Sequence, residues 1–345
     1  MRFSVLIPVF NVERYLPQCL ASIDAQTFED YEVVLVNDGS TDGSGDLCRR
    51  YVRDHPRRAK LIEQNNRGLL LARRVAMKAS SGDYILCLDS DDALAPHALS
   101  RLEEIIELSG PDLIAFQASS SSEMDKPFFD FAKLHESATA SGKVPAAMAR
   151  EVLATGHEFN AMWNKAIRRE CAGIEDPYDE FEGLQYGEDL FQMAPILDKI
   201  QAMVVIDDIL YYYRQNLVSI SHQVNRNRLE DIIKVRSRLV GYVLRWDRGL
   251  LPSVYANNCV EVLAYCFLCA NRMGAKEAIK AICDAASGDF YVTSYVSANL
   301  SAVPLWKRMP LRLLDARAWR LFVCYTRALF GALKLCGSDK AVRYC

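Results

Sequence analysis

The strongest constraint on the fold is an alternation of short apolar runs and amphipathic stretches in the first third of the chain. Residues 3–9 are apolar almost throughout, which is typical of a strand buried on both faces, and residues 11–25 place apolar side chains at helical spacing. The pattern predicts further strands at 31–36, 60–63, 83–88 and 112–116, and further helices at 68–79 and 96–108. This alternation predicts an α/β fold, in which helices cover a mostly parallel sheet and ligands bind at the carboxyl ends of its strands.

The segment Asp89–Asp92 directly follows the predicted strand 83–88 and carries the clearest chemical signal. Its three carboxylates repel one another unless a cation lies among them. A divalent cation held by one or two carboxylates needs further ligands, which phosphate oxygens usually supply. The segment therefore suggests a metal–diphosphate site. The alternative interpretation is an N-cap for the predicted helix 96–108.

Polar clusters also follow two other predicted strands, at residues 8–11 and 37–40. In a parallel sheet the carboxyl ends of neighbouring strands lie on the same edge, where ligands bind. Helix capping alone does not readily explain three polar clusters on one edge, so the pattern favours a binding site there.

Two segments carry a family resemblance: SVLIPVFNVERYLPQCLASIDAQTFEDYEVVLVNDGSTDGS at residues 4–44 and NNRGLLLARRVAMKASSGDYILCLDSDD at residues 65–92. They resemble the family 2 glycosyltransferases, which have the GT-A (Rossmann-like) fold with helices on both faces of the sheet. The resemblance is strong to about residue 120 and continues in short pieces to about residue 222. It implies a nucleotide-diphosphate sugar as donor, Mg²⁺ or Mn²⁺ as cofactor and, as in most members, inversion at the anomeric carbon.

The resemblance implies a set of donor-binding residues. Pro8, Phe10 and Asn11 match the loop that flanks the nucleobase, although the family more often has Tyr in place of Phe10. Asp38 matches the second acid of an Asp-Asp-Gly-Ser motif, which hydrogen-bonds the base and ribose region. The first acid of this motif is Asn37 here, which removes a charge and keeps a hydrogen-bond acceptor.

Two further family motifs extend the donor site. Arg73 matches the arginine of an Ala-Arg-Asn motif, in which Arg74 replaces the asparagine. Asp89 and Asp91 match the Asp-x-Asp (DXD) motif, with Ser90 between them. The resemblance implies that Asp91 coordinates the metal and that Asp89 and Ser90 contact the donor, Asp89 facing the ribose or a metal-bound water. A bridging metal neutralises the charge that develops on the departing diphosphate.

An inverting reaction also needs a general base, and the segment Tyr186–Leu190 resembles the Glu-Asp motif that supplies it. Asp189 is the first choice for the base and Glu188 the alternative. A base must lie within hydrogen-bond reach of the acceptor hydroxyl. Acidic residues are also common in the first turn of a helix, so a helix start is the competing interpretation.

Two later segments match the family more loosely. Met162–Lys165 resembles a segment in which Trp163 and Lys165 approach the acceptor, and a strand with a half-buried tryptophan is the alternative. Ser219–His222 resembles a segment that closes over the diphosphate, with His222 as a candidate metal or phosphate ligand. A surface histidine is the other interpretation.

The chain length suits one large domain and a smaller one. We expect a GT-A catalytic domain at 1–225, with a nucleotide-sugar-binding half at 1–118 and an acceptor-side half at 119–225. A mainly helical C-terminal region is expected at 226–345.

Composition bounds the location of the protein. The predicted first strand begins at residue 3, so no signal peptide is expected. No apolar run reaches the length of a membrane span, so no transmembrane helix is expected. The scattered cysteines suggest reduced core residues of a cytoplasmic protein. Residues 301–345 hold nine Lys or Arg and two Asp, a formal charge of +7. This basic tail either docks on the acidic body or contacts an anionic membrane at its inner face.

The sequence thus predicts an inverting, metal-dependent glycosyltransferase of polysaccharide biosynthesis. The expected donor is a UDP-sugar and the acceptor a hydroxyl of a cell-surface glycan or lipid-linked molecule. A net charge of −3 gives no overall attraction to nucleic acid. The rivals are a non-catalytic nucleotide-sugar-binding protein and a nucleotidyltransferase. The latter predicts a Gly-rich, basic loop after the first strand, where this chain has Phe10–Glu13.

Overall fold

The structure is a computed structural model that describes residues 1–156, 159–215 and 227–335. The chain divides into two compact units. The first comprises Met1–Leu153 with His157–Gln215, and the second comprises Ala154–Gly156 with Asn216–Cys345. The predicted segment around His222 lies outside the described residues, and so does the end of the basic tail.

A mixed sheet of nine strands, counted over the described residues, forms the framework of the first unit. The strands are β1 (Phe3–Val9), β2 (Tyr31–Asp38), β3 (Ala59–Gln64), β4 (Tyr84–Cys87), β5 (Ala93–Leu94), β6 (Leu113–Ser119), β7 (Lys143–Pro145), β8 (Lys165–Arg168) and β9 (Ala202–Tyr212). Their order is β3-β2-β1-β4-β8-β6-β9-β5, and β7 pairs with β9. Strands β1 to β4 pair in parallel, which confirms the predicted parallel half. Strand β8 is antiparallel to both β4 and β6.

The strands form where the sequence is continuously apolar. Every residue of β1 and β2 is buried, because helices cover the sheet and leave no solvated face. The helices of this unit are α1 (Leu16–Asp24), α2 (Ser44–Asp54), α3 (Leu69–Ala79), α4 (Ala98–Ser109), α5 (Ala132–Glu136), α6 (Ala146–Thr155) and α7 (Glu188–Lys199). Helix α1 begins at Leu16, later than the helical spacing from residue 11 predicted. Asn11 itself has a positive φ of 51°, which is outside the helical region.

The described part of the second unit is helical. Its helices are α8 (Arg228–Trp246), α9 (Leu251–Arg272), α10 (Ala275–Ser287), α11 (Asp289–Ser297), α12 (Leu305–Asp315) and α13 (Trp319–Leu335). Helices α8, α10, α11, α12 and α13 all pack on α9, which is the core of the unit. Arg327 of α13 donates hydrogen bonds to the carbonyls of Ala270 and Met273, and so caps the end of α9.

The helical stretch Arg248–Arg272 reaches the length and apolar character of a membrane span, the one such stretch among the described residues. This differs from the expectation that no segment of the chain would do so. Its apolar window is 67% buried inside the fold. Burial of this extent is what the central helix of a helical unit requires, so length and composition alone do not indicate a membrane crossing.

Candidate active site

Strands β2, β1 and β4 lie side by side and run parallel. Their carboxyl ends carry the polar segments 37–40, 8–11 and 89–92. The three clusters therefore share one edge of the sheet, as the strand pattern predicted. This convergence is the basis of the candidate site.

The loops after β1 and β2 hold each other in place. The amide N–H of Asn11 donates to Ser40 Oγ at 3.1 Å, and Asn11 Oδ1 accepts from the N–H of Thr41 at 2.8 Å. Phe10 precedes this contact and is 44% exposed, although most large apolar side chains of the first unit are buried. An exposed ring on a fixed loop suits stacking against a planar base.

The Asp38 carboxylate organises the loop that leads into α3. It is buried and accepts hydrogen bonds from Gln64 Nε2 and from the N–H groups of Arg67 and Gly68, at 2.7, 2.9 and 2.9 Å. Gly68 has a φ of 88°, which a residue with a side chain rarely adopts. Asp38 therefore shapes the backbone next to the predicted nucleotide site.

The structure explains why Asn37 replaces the first acid of the family motif. Its Oδ1 accepts from the N–H of Ser40 at 3.1 Å, and its Nδ2 donates to Glu63 at 3.3 Å. A carboxylate at position 37 cannot donate to Glu63 and would repel it. Asparagine at position 37 therefore suits the site, because it can donate a hydrogen bond to Glu63 on β3.

Arg73 joins the two acidic motifs of the site. It is almost fully buried, donates to Asp89 at 2.8 Å and forms a second ion pair with Asp189. Asp89 follows β4 whereas Asp189 lies in the first turn of α7, 100 residues later in the sequence. Although burial lowers the pKa of Arg73, the two aspartates raise it well above its usual range, so the guanidinium stays charged.

Glu188 and Asp189 begin α7 directly after Gly187, whose φ is 80°. Both are therefore first-turn residues, as the helix-start interpretation predicted, and Asp189 is also in the acidic site. Burial raises the pKa of Asp189, an effect that Arg73 partly offsets. Burial and then the Asp189 charge raise the pKa of Glu188 to about 7. Carboxyl groups whose pKa is raised can exchange protons near neutral pH.

The helix-cap interpretation of Asp89–Asp92 is wrong. Strand β5 follows the acidic segment, and α4 begins only at Ala98, after His97. The Asp92 carboxylate instead accepts hydrogen bonds from the Tyr211 hydroxyl and from the N–H of Arg214, both at 2.7 Å. Burial, with Asp89 and Asp91, raises the pKa of Asp92 to about 8.

Tyr211 and Arg214 were not predicted as site residues. The Tyr211 hydroxyl also accepts from the N–H of Asp89 at 3.2 Å, and Arg214 Nε donates to the carbonyl of Asp91 at 2.7 Å. Tyr211 lies near the carboxyl end of β9, and Arg214 follows the strand. Together they fix the turn that carries the DXD motif. The available sequence signal was the run of three tyrosines before Arg214, since aromatic residues favour strands.

The acidic turn fits a divalent cation that shares its ligands with a substrate. Burial, followed by the charges of Asp89 and Asp91, raises the pKa of Asp92, so three carboxyl groups lie close together in this turn, and carboxylate oxygens suit a hard cation. One oxygen of Asp89 already pairs with Arg73. Within residues 1–156, 159–215 and 227–335, no group of three or more His, Cys, Asp or Glu side chains could hold a metal. Diphosphate oxygens would therefore have to complete the coordination shell.

Trp163 and Lys165 are buried rather than open to solvent. The Trp163 ring stacks on Tyr211 with centroids 4.6 Å apart, which connects it to the DXD turn. Lys165 Nζ donates to the carbonyl of Ala161 at 2.5 Å and to Asn164 Oδ1 at 2.7 Å. Direct contact of Trp163 or Lys165 with an acceptor stays a prediction, and their visible role is to pack beneath the site.

The buried lysine gives a pH prediction. Burial lowers the pKa of Lys165 to about 7, although Asp189 partly opposes this effect. Between this value and the ordinary 10.5, the unfolded chain binds one proton more than the folded chain, so the free energy of unfolding rises with pH. We expect this rise, at most about 1.4 kcal/mol per pH unit, to disappear in Lys165→Met.

Urea unfolding of the wild type and Lys165→Met between pH 7 and 9 measures the difference. Lys78→Met is the control, because Lys78 is exposed on α3. Equal pH slopes for the wild type and Lys165→Met would show that Lys165 stays charged in the folded protein.

Arg74 has a structural role in place of the family's asparagine. It is buried and donates to the carbonyls of Ala172, Gly173 and Ile174, while its guanidinium lies 4.3 Å from the centroid of the Tyr178 ring. The arginine reaches this loop from α3, which an asparagine side chain is too short to do. The departure from the motif thus stabilises the segment after β8.

The sequence comparisons agree with these motifs. Residues 4–170 match the family model described as Glycosyl transferase family 2. Glycosyltransferase GlyA of Streptococcus pneumoniae is 44% identical over 108 residues, 31% of this chain and 15% of GlyA. The uncharacterized glycosyltransferase EpsJ of Bacillus subtilis is 29% identical over 62% of this chain and 61% of EpsJ. The chain thus spans less than two thirds of the length of either relative.

The fold has a counterpart among solved structures. Residues 1–349 of S. aureus TarS, crystallised with UDP-GlcNAc, superpose with a TM-score of 0.69 and 19% identity, covering 96% of this chain and 92% of that one. At this identity the likeness concerns the fold alone. It confirms the predicted GT-A fold followed by a mainly helical region.

Proposed function

Given that residues 4–170 belong to glycosyl transferase family 2, we propose that the chain moves a sugar from a nucleotide-diphosphate donor to an acceptor hydroxyl, with inversion at the anomeric carbon. The observation that carries the proposal is the pairing of Arg73 with both Asp89 and Asp189. This pairing brings the predicted donor motif and the predicted base into one site. Donor activation and acceptor deprotonation must occur next to each other in a single displacement.

Asp189 is the proposed general base. The raised pKa of its carboxyl group makes it a stronger proton acceptor than an ordinary aspartate. Arg73 holds one carboxylate oxygen, which fixes the orientation of the side chain, and the other oxygen would accept the proton of the acceptor hydroxyl. Glu188, whose pKa is about 7, is the alternative base.

The proposed donor is a UDP-sugar. Phe10 would stack on the base, and the loop held by Asp38 would line the nucleoside. The fold likeness to TarS, which was crystallised with UDP-GlcNAc, supports the choice of uridine. Pro8, Asn11 and Ser90 complete the proposed donor-binding set.

Asp91, with Asp89, would hold Mn²⁺ or Mg²⁺ together with the donor diphosphate. When bound, the cation would neutralise the charge on the departing nucleoside diphosphate. Tyr211 and Arg214 keep the Asp89–Asp92 turn in position for this contact. We propose His222 as a further ligand of the metal or the phosphate. His222 lies outside the described residues.

The loop after β1 supports this function over nucleotidyl transfer. Asn11 and Glu13 accept hydrogen bonds from the N–H groups of Thr41 and Gly43, the latter at 2.6 Å. Both side chains therefore hold the neighbouring loop, and residues 10–13 include neither the glycines nor the cations that a nucleotidyltransferase would need for a triphosphate. The intact set of Asp89, Asp91 and Asp189 supports catalysis over a purely binding role.

The proposed acceptor is a cell-surface glycan or a lipid-linked molecule, and the proposed location is the cytoplasm. Cysteines are free throughout the described residues, and most of them are buried, which fits a reducing compartment. The basic tail 301–345 would hold the enzyme at an anionic membrane surface, where lipid-linked acceptors are found. No role for nucleic acid is proposed.

A screen of nucleotide sugars tests the proposal. The chain is incubated with UDP-, GDP- and dTDP-sugars, with Mn²⁺ or with a chelator, and nucleotide release is measured. We expect slow cleavage of at least one UDP-sugar that stops in chelator. Release of pyrophosphate from a nucleoside triphosphate and a sugar phosphate would indicate a nucleotidyltransferase, and binding without cleavage would indicate a non-catalytic protein.

A further inference from the structure

Helix α12 exposes apolar side chains to solvent. Leu305 is 77% exposed, Met309 42% and Trp306 36%. Together with Arg312 they lie at positions 305, 306, 309 and 312, which is the spacing of one side of a helix. We call these four residues the α12 face. The opposite side of the helix, with Pro310, Leu311 and Leu314, is buried in the second unit.

The α12 face is held rigidly. The Trp306 ring stacks on Phe267 of the core helix α9, with centroids 6.3 Å apart. Arg308 Nε donates to the carbonyl of Val303 at 2.8 Å, and its guanidinium also donates to Ser301 at 2.6 Å. These bonds tie the start of α12 to the preceding turn. The exposed side chains are therefore presented by a packed helix and not by a loose end.

The surroundings of the α12 face are basic. Lys307 lies 5.2 Å from the centroid of the Trp306 ring, and Arg312 is exposed on the same helix. Arg317 and Arg320 follow and are also exposed. Between residues 301 and 335 the sequence contains seven Lys or Arg and the single acid Asp315. Residues 1–300 carry a formal charge of −10, so the positive charge is concentrated in this part of the chain.

We propose that the α12 face is a membrane-docking surface that inserts Leu305, Trp306 and Met309 into the interface of an anionic bilayer. A helix with exposed aliphatic and aromatic side chains beside cations has the chemistry of an interfacial helix. Tryptophan is favoured at the level of the lipid headgroups. The basic residues match the negative surface potential of anionic lipids in sign. This inference rests on the membrane contact proposed above for residues 301–345 and identifies the residues that make it. It does not depend on the proposed sugar transfer, because lipid binding is measured without a donor.

Vesicle sedimentation of the full chain tests the proposal. The vesicles are phosphatidylcholine alone or phosphatidylcholine with about 30% phosphatidylglycerol, because the surface potential scales with anionic lipid. We expect pelleting with the anionic vesicles at low salt, and weaker pelleting at about 0.5 M salt, where charges are screened.

Two variants locate the contact. Leu305→Gln combined with Met309→Gln changes two exposed side chains and leaves the Trp306 stack intact. Arg312→Glu should weaken binding about five-fold or more, since each basic residue near an anionic surface contributes about 1 kcal/mol. The matched controls lie in the first unit: Leu108→Gln, at a leucine that is 84% exposed, and Arg50→Glu, at an exposed arginine.

We expect the α12 variants to lose binding and the controls to keep it. Absence of wild-type pelleting with anionic vesicles would overturn the proposal, as would equal binding by the α12 variants and the wild type. Concentration-dependent self-association without lipid that disappears in the α12 variants would instead assign the α12 face to a second copy of the chain. An unchanged melting temperature shows that a variant is folded.

Discussion

Asp189→Asn is expected to lower the rate of sugar transfer by a factor of about 10² or more, the usual contribution of a positioned base. An amide cannot take the proton of the acceptor hydroxyl at neutral pH. Donor binding should persist, because Arg73 keeps its ion pair with Asp89 and the loop held by Asp38 is untouched. The measurements are nucleotide release from the donor and calorimetric binding of UDP.

Glu188→Gln is the matched control, since it makes the same chemical change one residue earlier in α7. Glu188 is not paired with Arg73, so we expect a smaller loss of activity. Full activity in Asp189→Asn together with an inactive Glu188→Gln would transfer the role of base to Glu188. Loss of UDP binding in Asp189→Asn would mean that its ion pair with Arg73 serves the donor site.

Asp91→Asn is expected to abolish transfer and to weaken nucleotide binding. A neutral amide is a poorer ligand than a carboxylate for a hard divalent cation. The described residues include no group of three or more acids, histidines and cysteines that could hold a metal, so loss of one carboxylate should not be compensated. The measurement is activity against Mn²⁺ concentration, together with UDP binding with and without Mn²⁺.

Asp83→Asn is the control for this change, since Asp83 is exposed just before β4, at the other end of the strand from Asp91, and its ion pair with Arg2 is long, at 3.4 Å. It should retain wild-type activity. Near-full activity of Asp91→Asn in chelator-treated buffer would contradict the proposed metal site. Reduced activity that high Mn²⁺ restores would support a weakened but intact site.

The parallel half of the fold was predictable from sequence because its strands are buried on both faces. Such strands are continuous apolar runs, and the polar clusters that end them, such as Asn37–Ser40 and Asp89–Asp92, fall on one edge of the sheet. The second half of the sheet was harder to predict. Strand β8 has only four residues and β7 only three, and neither is long enough to show a period.

Side-chain pairing in the site was less predictable than its location. The sequence indicated Arg73 and Asp189 separately, but their ion pair depends on how α3 packs against α7. The role of Arg74 arises from a loop about 100 residues further along the chain. The sequence left open whether Asp92 belongs to a metal site or to a helix cap. Its hydrogen bond with Tyr211, on a strand more than 100 residues later, could not be predicted from the sequence.

Composition was a weaker guide to membrane contact. The excess of basic residues in 301–345 predicted an anionic partner, but it did not identify a surface. The exposure of Leu305 and Met309 depends on which side of α12 packs into the second unit. Periodicity defined two sides of the helix, and tertiary packing decided which side is buried.

The most direct test of the account follows the cleavage of the nucleotide sugar found in the screen by time-resolved proton NMR. A single displacement with Asp189 as the base produces a first sugar product whose anomeric configuration is opposite to that of the donor, before mutarotation mixes the anomers. We predict this inverted product for the wild type and its loss in Asp189→Asn. A first product with the configuration of the donor, or no cleavage of any nucleotide sugar, would contradict the account.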